Sequence, residues 1–170
     1  SVSDGFKVTL VEKDGYNAKF KVSDALESYL ECYVKAGTLY IGLDDKSIPK
    51  EVKKSFKGKN SDGPVLEATI YVSSLNSITL NDDCTFSSNN SLNSGKFKMD
   101  LSGNSSIANL NVNAESAVIS VGKKAKLSSF NVKAGDNVTV NADGSATVVM
   151  EYSAKTLNVN NSGSADLAVN

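Results

Sequence analysis

The chain has 170 residues, a formal net charge of −1, and no His, Trp or Arg, so its 18 basic residues are all lysines. This balance provides no whole-molecule field to draw nucleic acid or an anionic membrane, and no run of 18 or more apolar residues is present to span a bilayer. Without His the commonest general base and metal ligand is missing, and without Arg so is the bidentate clamp for carboxylate or phosphate.

Phe6–Val11 alternates apolar and polar residues, the period of a strand, and Asp14-Gly15 is a hairpin turn signal. Tyr16–Val22 alternates in turn and is expected to fold back beside it. Asp24 followed by Glu27 fits a capping box, which opens a short helix with Leu26, Leu30 and Tyr33 at helical spacing. Leu30–Lys35 and Thr38–Leu43 predict a second hairpin about Lys35-Ala36-Gly37. Ser47–Gly63 is a lysine-rich excursion with Lys50, Lys53, Lys54, Lys57 and Lys59. Its functional reading, across residues 46–59, is contact with an anionic glycan or lipid surface; its ordinary reading, and the favoured one, is a solvated loop. Val65–Val72 returns to strand character.

Composition then changes. Residues 1–70 hold both prolines, Pro49 and Pro64, and 22 charged residues; residues 71–170 hold no proline, 15 charged residues and 16 of the 18 asparagines. The boundary near Gly63-Pro64 divides a hairpin-rich cap, 1–64, from a repeat array, 65–170. Both belong to a single domain, 1–170, with one continuous core.

In the array Val72, Leu92, Val112, Val132 and Tyr152 fall at intervals of twenty, with Ile70, Leu110, Phe130 and Met150 two positions earlier and Asn90 breaking the series. A second column runs Ile78, Met99, Val118, Val138 and Val159. Units of this period cannot bury their own apolar face and must stack on their neighbours. Alternation inside each unit, as in Leu110-Asn111-Val112-Asn113-Ala114, marks strands, so the array is a β-solenoid of about five coils spaced ~4.8 Å apart. Turn signals at Ser102-Gly103-Asn104, Ala134-Gly135-Asp136, Asp143-Gly144-Ser145 and Ser162-Gly163-Ser164 supply the tight corners. Asn89/Asn109, Asn93/Asn113, Asn111/Asn131 and Asn141/Asn161 lie twenty apart, at the spacing of amide ladders, although a solvated polar face is the simpler reading. The chain ends on Leu167-Ala168-Val169-Asn170 in strand pattern, and Thr156–Ala165 carries no gatekeeping lysine, so self-association through that edge is expected.

These residues as a set resemble the auto-transporter adhesin head domains of the bacterial envelope, also called the GIN domain. The resemblance runs through GFKVTLVEKDGYNAKFKVSDALESYLECYVKAGTLYIGL, LEATIYVSSLNSITLNDDCTF, FKMDLSGNSSI and LNVNNSGSADLAVN, and so through essentially the whole chain. It is the order of these segments, rather than any one motif, that carries it. The resemblance implies a pectin-lyase-like β-helix and a cell-surface or secreted protein, often exported as a lipoprotein and lipid-anchored through a removed N-terminal segment. It also implies a role in adhesion and assembly with other copies, and it brings no catalytic residues.

The candidate chemistry is sparse. Glycoside hydrolysis needs two carboxylates at a set separation, but Asp82, Asp83, Asp100, Glu115, Asp136, Asp143, Glu151 and Asp166 include no pair twenty apart. Asn81, Asp82 and Asp83 offer oxygens to a calcium ion only if they share a loop, and an exposed acidic turn is the plainer reading. Tyr16, Tyr29, Tyr33, Tyr40 and Tyr71 suggest sugar stacking, against the default of sheet packing. Cys32 and Cys84 either pair in an oxidising compartment or stand as separate buried thiols, the latter favoured. The sequence therefore predicts an all-β protein, a right-handed parallel β-helix with an N-terminal hairpin-rich cap. The function expected is non-enzymatic adhesion or structural display, with no catalytic, cofactor or metal residues and no nucleic-acid partner. Its ligand would be a surface protein or glycan, and the alternative is a carbohydrate-binding or polysaccharide-processing envelope protein.

Overall fold

Strands, most of them with alternating burial, make up 62% of the chain and helices 6%. The computed structural model describes residues 1–58 and 61–170. In order these form β1 (Lys7–Glu12), β2 (Asn17–Val22), α1 (Asp24–Glu27), β3 (Leu30–Lys35), β4 (Thr38–Leu43), α2 (Lys50–Ser55), β5 (Leu66–Val72) and β6 (Ser77–Leu80). There follow β7 (Thr85–Ser88), β8 (Leu92–Leu101), β9 (Ser106–Val121), β10 (Lys126–Gly144), β11 (Thr147–Ser153), β12 (Thr156–Gly163) and β13 (Asp166–Val169). The long strands bend as they pass from one face to the next. They stack in parallel as a β-solenoid of about five turns, β8 on β9, β9 on β10, and β10 on β11 and β12.

The twenty-residue column is present in the register. Leu92 pairs with Val112, Val112 with Val132, and Val132 with Tyr152. Leu110, Phe130 and Met150 stack beside them, and all of these except the half-buried Tyr152 are buried. Truncating Val112 or Val132 to Ala is expected to lower stability by about 1–3 kcal/mol, from lost burial plus the cavity left behind. Denaturant unfolding measures it, and unchanged stability would place these side chains outside the core.

The second column differs from the expected one. Ile78 pairs with Met99, Met99 with Ile119, Ile119 with Val140, and Val140 with Val159. Val118 faces outward between Lys98 and Thr139, and Val138 stands in the neighbouring inward column with Ala117 and Leu157. The displacement of Val138 comes from a register shift between Ala134 and Asn137, where Gly135-Asp136 occupies the space taken by Glu115 one coil earlier. Val118 turns outward because β8 and β9 pair at a constant offset of twenty, which sets Ile119 over Met99.

The first strands also differ from the expected hairpin. β1 lies parallel between β5 and β7, with Leu10 opposite both Ile70 and Ser88, and β2 runs antiparallel on the far side of β5. Val72 therefore pairs with Glu12 rather than lying directly beneath Leu92. Burial explains the choice. Phe6, Val8 and Leu10 are all at most 2% exposed, and a buried backbone needs hydrogen-bond partners on both edges. The half-buried, lysine-bearing β2 instead suits the outer edge.

The second hairpin is present: β3 pairs antiparallel with β4 around Ala36-Gly37, whose φ values of 48° and 76° are those of a two-residue turn. Ile41 of β4 is buried beside Val2 at the solenoid's end. The capping box is absent. Ser23 holds the N-cap position with no side-chain capping bond, so Asp24 and Glu27 fall one residue late for the motif, and Leu26 is the buried residue of α1. Within the lysine-rich segment, Pro49 stands at the N-cap position of the short helix α2, with no side-chain capping bond; Lys59 lies outside the described residues.

Candidate binding surfaces

The corners set how the coils superimpose. Asp82, Gly103, Lys123 and Gly144 all have positive φ, between 58° and 75°, and occupy the same corner of successive coils. Backbone N–H groups of the following residues bond back to the coil below: Asn104 to Asp82, Lys124 to Gly103, Ser145 to Lys123, each within 3.0 Å. A Cβ on Gly103 would lie 2.7 Å from the Asp82 backbone, so at this coil the close approach favours glycine, although Asp82 and Lys123 hold the same corner in neighbouring coils.

With coils held at one spacing, exposed asparagines meet. Asn113 donates to the Asn93 side-chain carbonyl at 3.1 Å, and Asn131 to that of Asn111 at 3.0 Å. Asn111 and Asn113 alternate on one strand and so share its outer face, which makes these four amides one patch. Lys133 stands next in register above Asn113, and a shallow depression of about 250 Å³ lies among Ser91, Asn111, Asn113, Asn131 and Lys133. Two of the four expected amide pairs thus form. A third rung joins Asn160 to Asn141 at 2.9 Å, in place of Asn161, because the coil there is one residue shorter. Asn89 and Asn109 make no amide bond to each other, and Asn109 sits at a left-handed bend.

A second groove, of about 430 Å³, follows the register row Asp100, Ser120, Asn141 and Asn160. Asp143 closes one side by accepting the Lys123 backbone N–H at 3.0 Å, over a floor left open by Gly122. Asp100 is held by Lys98 at 3.0 Å. Both carboxylates therefore line this groove with some of their hydrogen-bonding capacity already used.

Of the other acidic groups, Asp4, Asp45, Asp82 and Asp83 line one further depression of about 400 Å³. Asp136 accepts from Lys155 at 2.8 Å, and that hydrogen bond and charge hold its carboxyl below the usual range. The contact is fully exposed; its contribution is present above the ordinary carboxylate range and is lost as pH falls through the lowered value. Asp83 accepts from Asn104 at 2.8 Å, and Asn81 from Ser102 at 3.5 Å, so the acidic corner is tied to the next coil. Among the described residues no three His, Cys, Asp or Glu side chains gather as a metal site. In the lysine-rich segment Lys53 pairs with Asp45 at 2.8 Å, while Lys50, Lys54 and Lys57 face solvent.

The tyrosines divide. Tyr33 and Tyr40 stack across the β3–β4 hairpin at 5.1 Å, Lys19 sits over Tyr71, and Tyr16 is 77% exposed with its hydroxyl accepting from Ser73. Between β5 and the hairpin lies an apolar cleft of about 550 Å³ lined by Tyr16, Val34, Leu39, Ile70, Val72 and Leu75. Sequence reasoning assigned no role to Leu75 or Val34, because three distant segments must come together before the cleft exists.

Cys32 and Cys84 are both free; Cys32 is exposed on β3, contrary to the buried reading, and Cys84 is buried in the solenoid. Burial pushes the Cys84 thiol up to about 11, backbone N–H groups of Gly5 and Phe6 pull it slightly back, and the Asp82 and Asp4 carboxylates add to the rise. At pH 8 the native protein should therefore react with a thiol reagent at one cysteine per chain, and at two after unfolding. Two fast thiols in the native state would contradict this.

A crystal structure from Bacteroides fragilis, described as a "putative adhesin", matches over 99% of this chain and 91% of its own, with a TM-score of 0.54 at 13% identity. A "putative adhesin" from Parabacteroides merdae covers 99% and 90%, with a TM-score of 0.48 at 12% identity. A "Putative lipid binding protein" from Parabacteroides distasonis covers 99% and 91%, with a TM-score of 0.45 at 14% identity. At such identities the likeness concerns the fold. No curated protein matches the sequence. The family described as "Putative auto-transporter adhesin, head GIN domain" matches residues 1–170, and this chain belongs to it.

Proposed function

We propose that this domain is a non-enzymatic adhesion module, secreted or displayed on the bacterial surface, that binds a protein or glycan ligand through an outer face of its solenoid. The observation that carries this reading is the patch of Asn93, Asn111, Asn113 and Asn131, whose amides are fixed in pairs by interstrand hydrogen bonds. Each amide retains free donor and acceptor capacity, and its orientation is set before any ligand arrives. Fixed amides on a repeating spacing suit hydroxyl-rich chains or the polar edge of a protein. The adhesin description of the family supports an envelope location; lipid anchoring belongs to the same proposal, and protease accessibility on intact cells would test it.

The test is binding of the purified protein to a glycan array and to immobilised surface proteins. The Asn113→Leu/Asn131→Leu variant should lose binding at least about tenfold while keeping its melting temperature, since both positions are exposed. Binding unaffected by the variant would remove this face from the mechanism. The alternative, polysaccharide processing, would use the groove of Asp100 and Asp143. Release of new sugar ends from any polysaccharide would favour it over adhesion.

A further inference from the structure

We infer that β3 is a self-pairing edge, through which two copies of this chain join antiparallel about a two-fold axis at Tyr33. Among the described residues β3 pairs only with β4, on one side, and its other edge is open. The two-residue turn at Ala36-Gly37 makes Lys35 and Thr38 a hydrogen-bonded pair, and the antiparallel ladder then alternates. Glu31 and Tyr33 therefore turn their backbone groups towards β4, while Leu30, Cys32 and Val34 turn theirs outward. A second β3 must satisfy those outward groups in pairs. Centring the two strands on Tyr33 does so, with Cys32 opposite Val34 of the second copy.

Side chains select this register over its neighbours. Centred on Tyr33, Glu31 faces Lys35 of the second copy, and Lys35 faces its Glu31, giving two opposite-charge pairs. Moving the centre to Cys32 or to Val34 removes both pairs. Neither Glu31 nor Lys35 is in an ion pair among the described residues; within the hairpin their cross-strand neighbours are Gly42 and Thr38. The stacked Tyr33 and Tyr40 would meet the same pair from the second copy, extending two rings to a row of four. Exposure agrees with a surface that has a partner: Val34 is 70% and Tyr33 49% exposed, on an edge strand whose only lysine is its last residue. β2, the other edge of the cap, carries Lys19 and Lys21, whose like charges oppose self-pairing.

Sedimentation of the whole chain at micromolar to a few hundred micromolar concentration tests the proposal. The wild type should form a dimer. Glu31→Lys and Lys35→Glu should each weaken it about tenfold or more by placing like charges opposite one another. The double variant Glu31→Lys/Lys35→Glu should restore it. At concentrations too low for the dimer, all three variants should keep the wild-type melting temperature, since both side chains are exposed. A wild type that stays monomeric overturns the proposal, as do single variants that dimerise normally or a double variant that does not recover.

Discussion

Removal of residues 1–64 should leave a 65–170 fragment that aggregates instead of folding. The reason goes beyond loss of a cap. β1 is an internal strand of the stack, paired with β5 on one edge and β7 on the other, and β2 covers the outer edge of β5. Deleting both would leave β5 with no strand on either side and its Leu66, Ala68, Ile70 and Val72 row uncovered. Phe6, Val8 and Leu10 alone account for about 1.5–3 kcal/mol of burial each, a large share of the roughly 5–15 kcal/mol by which domains are stable. Expression and solubility of the fragment, followed by circular dichroism of any soluble material, give the answer. A soluble, cooperatively unfolding 65–170 fragment would contradict the role assigned to β1.

Gly103→Ala should be among the most damaging single substitutions. The residue sits at φ 75°, where an L side chain costs about 1–2 kcal/mol from backbone conformation alone. The added Cβ would also lie 2.7 Å from the Cα and N of Asp82 and 2.8 Å from its O, so backbone, rather than a movable side chain, must yield. A total near 3 kcal/mol corresponds to a drop in Tm of about 6–12 °C for a chain of this size. Gly95→Ala is the control: its Cβ would meet only the Glu115 carboxylate, at 4.0 Å, and it should change Tm little. Equal melting of the two variants would mean that the corner relaxes freely.

Much of the solenoid was legible because its information is local and periodic. Leu92, Val112, Val132 and Tyr152 superimpose as their spacing predicts, and so do Asn93 with Asn113 and Asn111 with Asn131. Reading failed where a coil gained or lost one residue. The extra residue at Gly135-Asp136 set Val138 over Ala117 instead of Val118, and the shorter last coil gave Asn141 its neighbour Asn160. The insertion of β1 between β5 and β7 leaves no trace in local pattern, because its partners lie some sixty and eighty residues away along the chain. Adjacent alternating segments around Asp14-Gly15 read as a hairpin on local grounds alone. The apolar cleft and the open edge of β3 depend on the same long-range placement, and so became visible only with the fold.

The position of β1 has a mechanical consequence. Under the adhesion proposed above, a pull on the amino end would act lengthwise on a strand clamped between two parallel neighbours. Sliding β1 out requires its hydrogen bonds to β5 and β7 to give way together, with Phe6, Val8 and Leu10 dragged from the interior at the same moment. A hairpin loaded at its open end would instead unzip rung by rung. The threading that hid this strand from the sequence would thus make the amino end the stiff grip of the molecule, with resistance set by the rate of forced opening rather than by equilibrium stability.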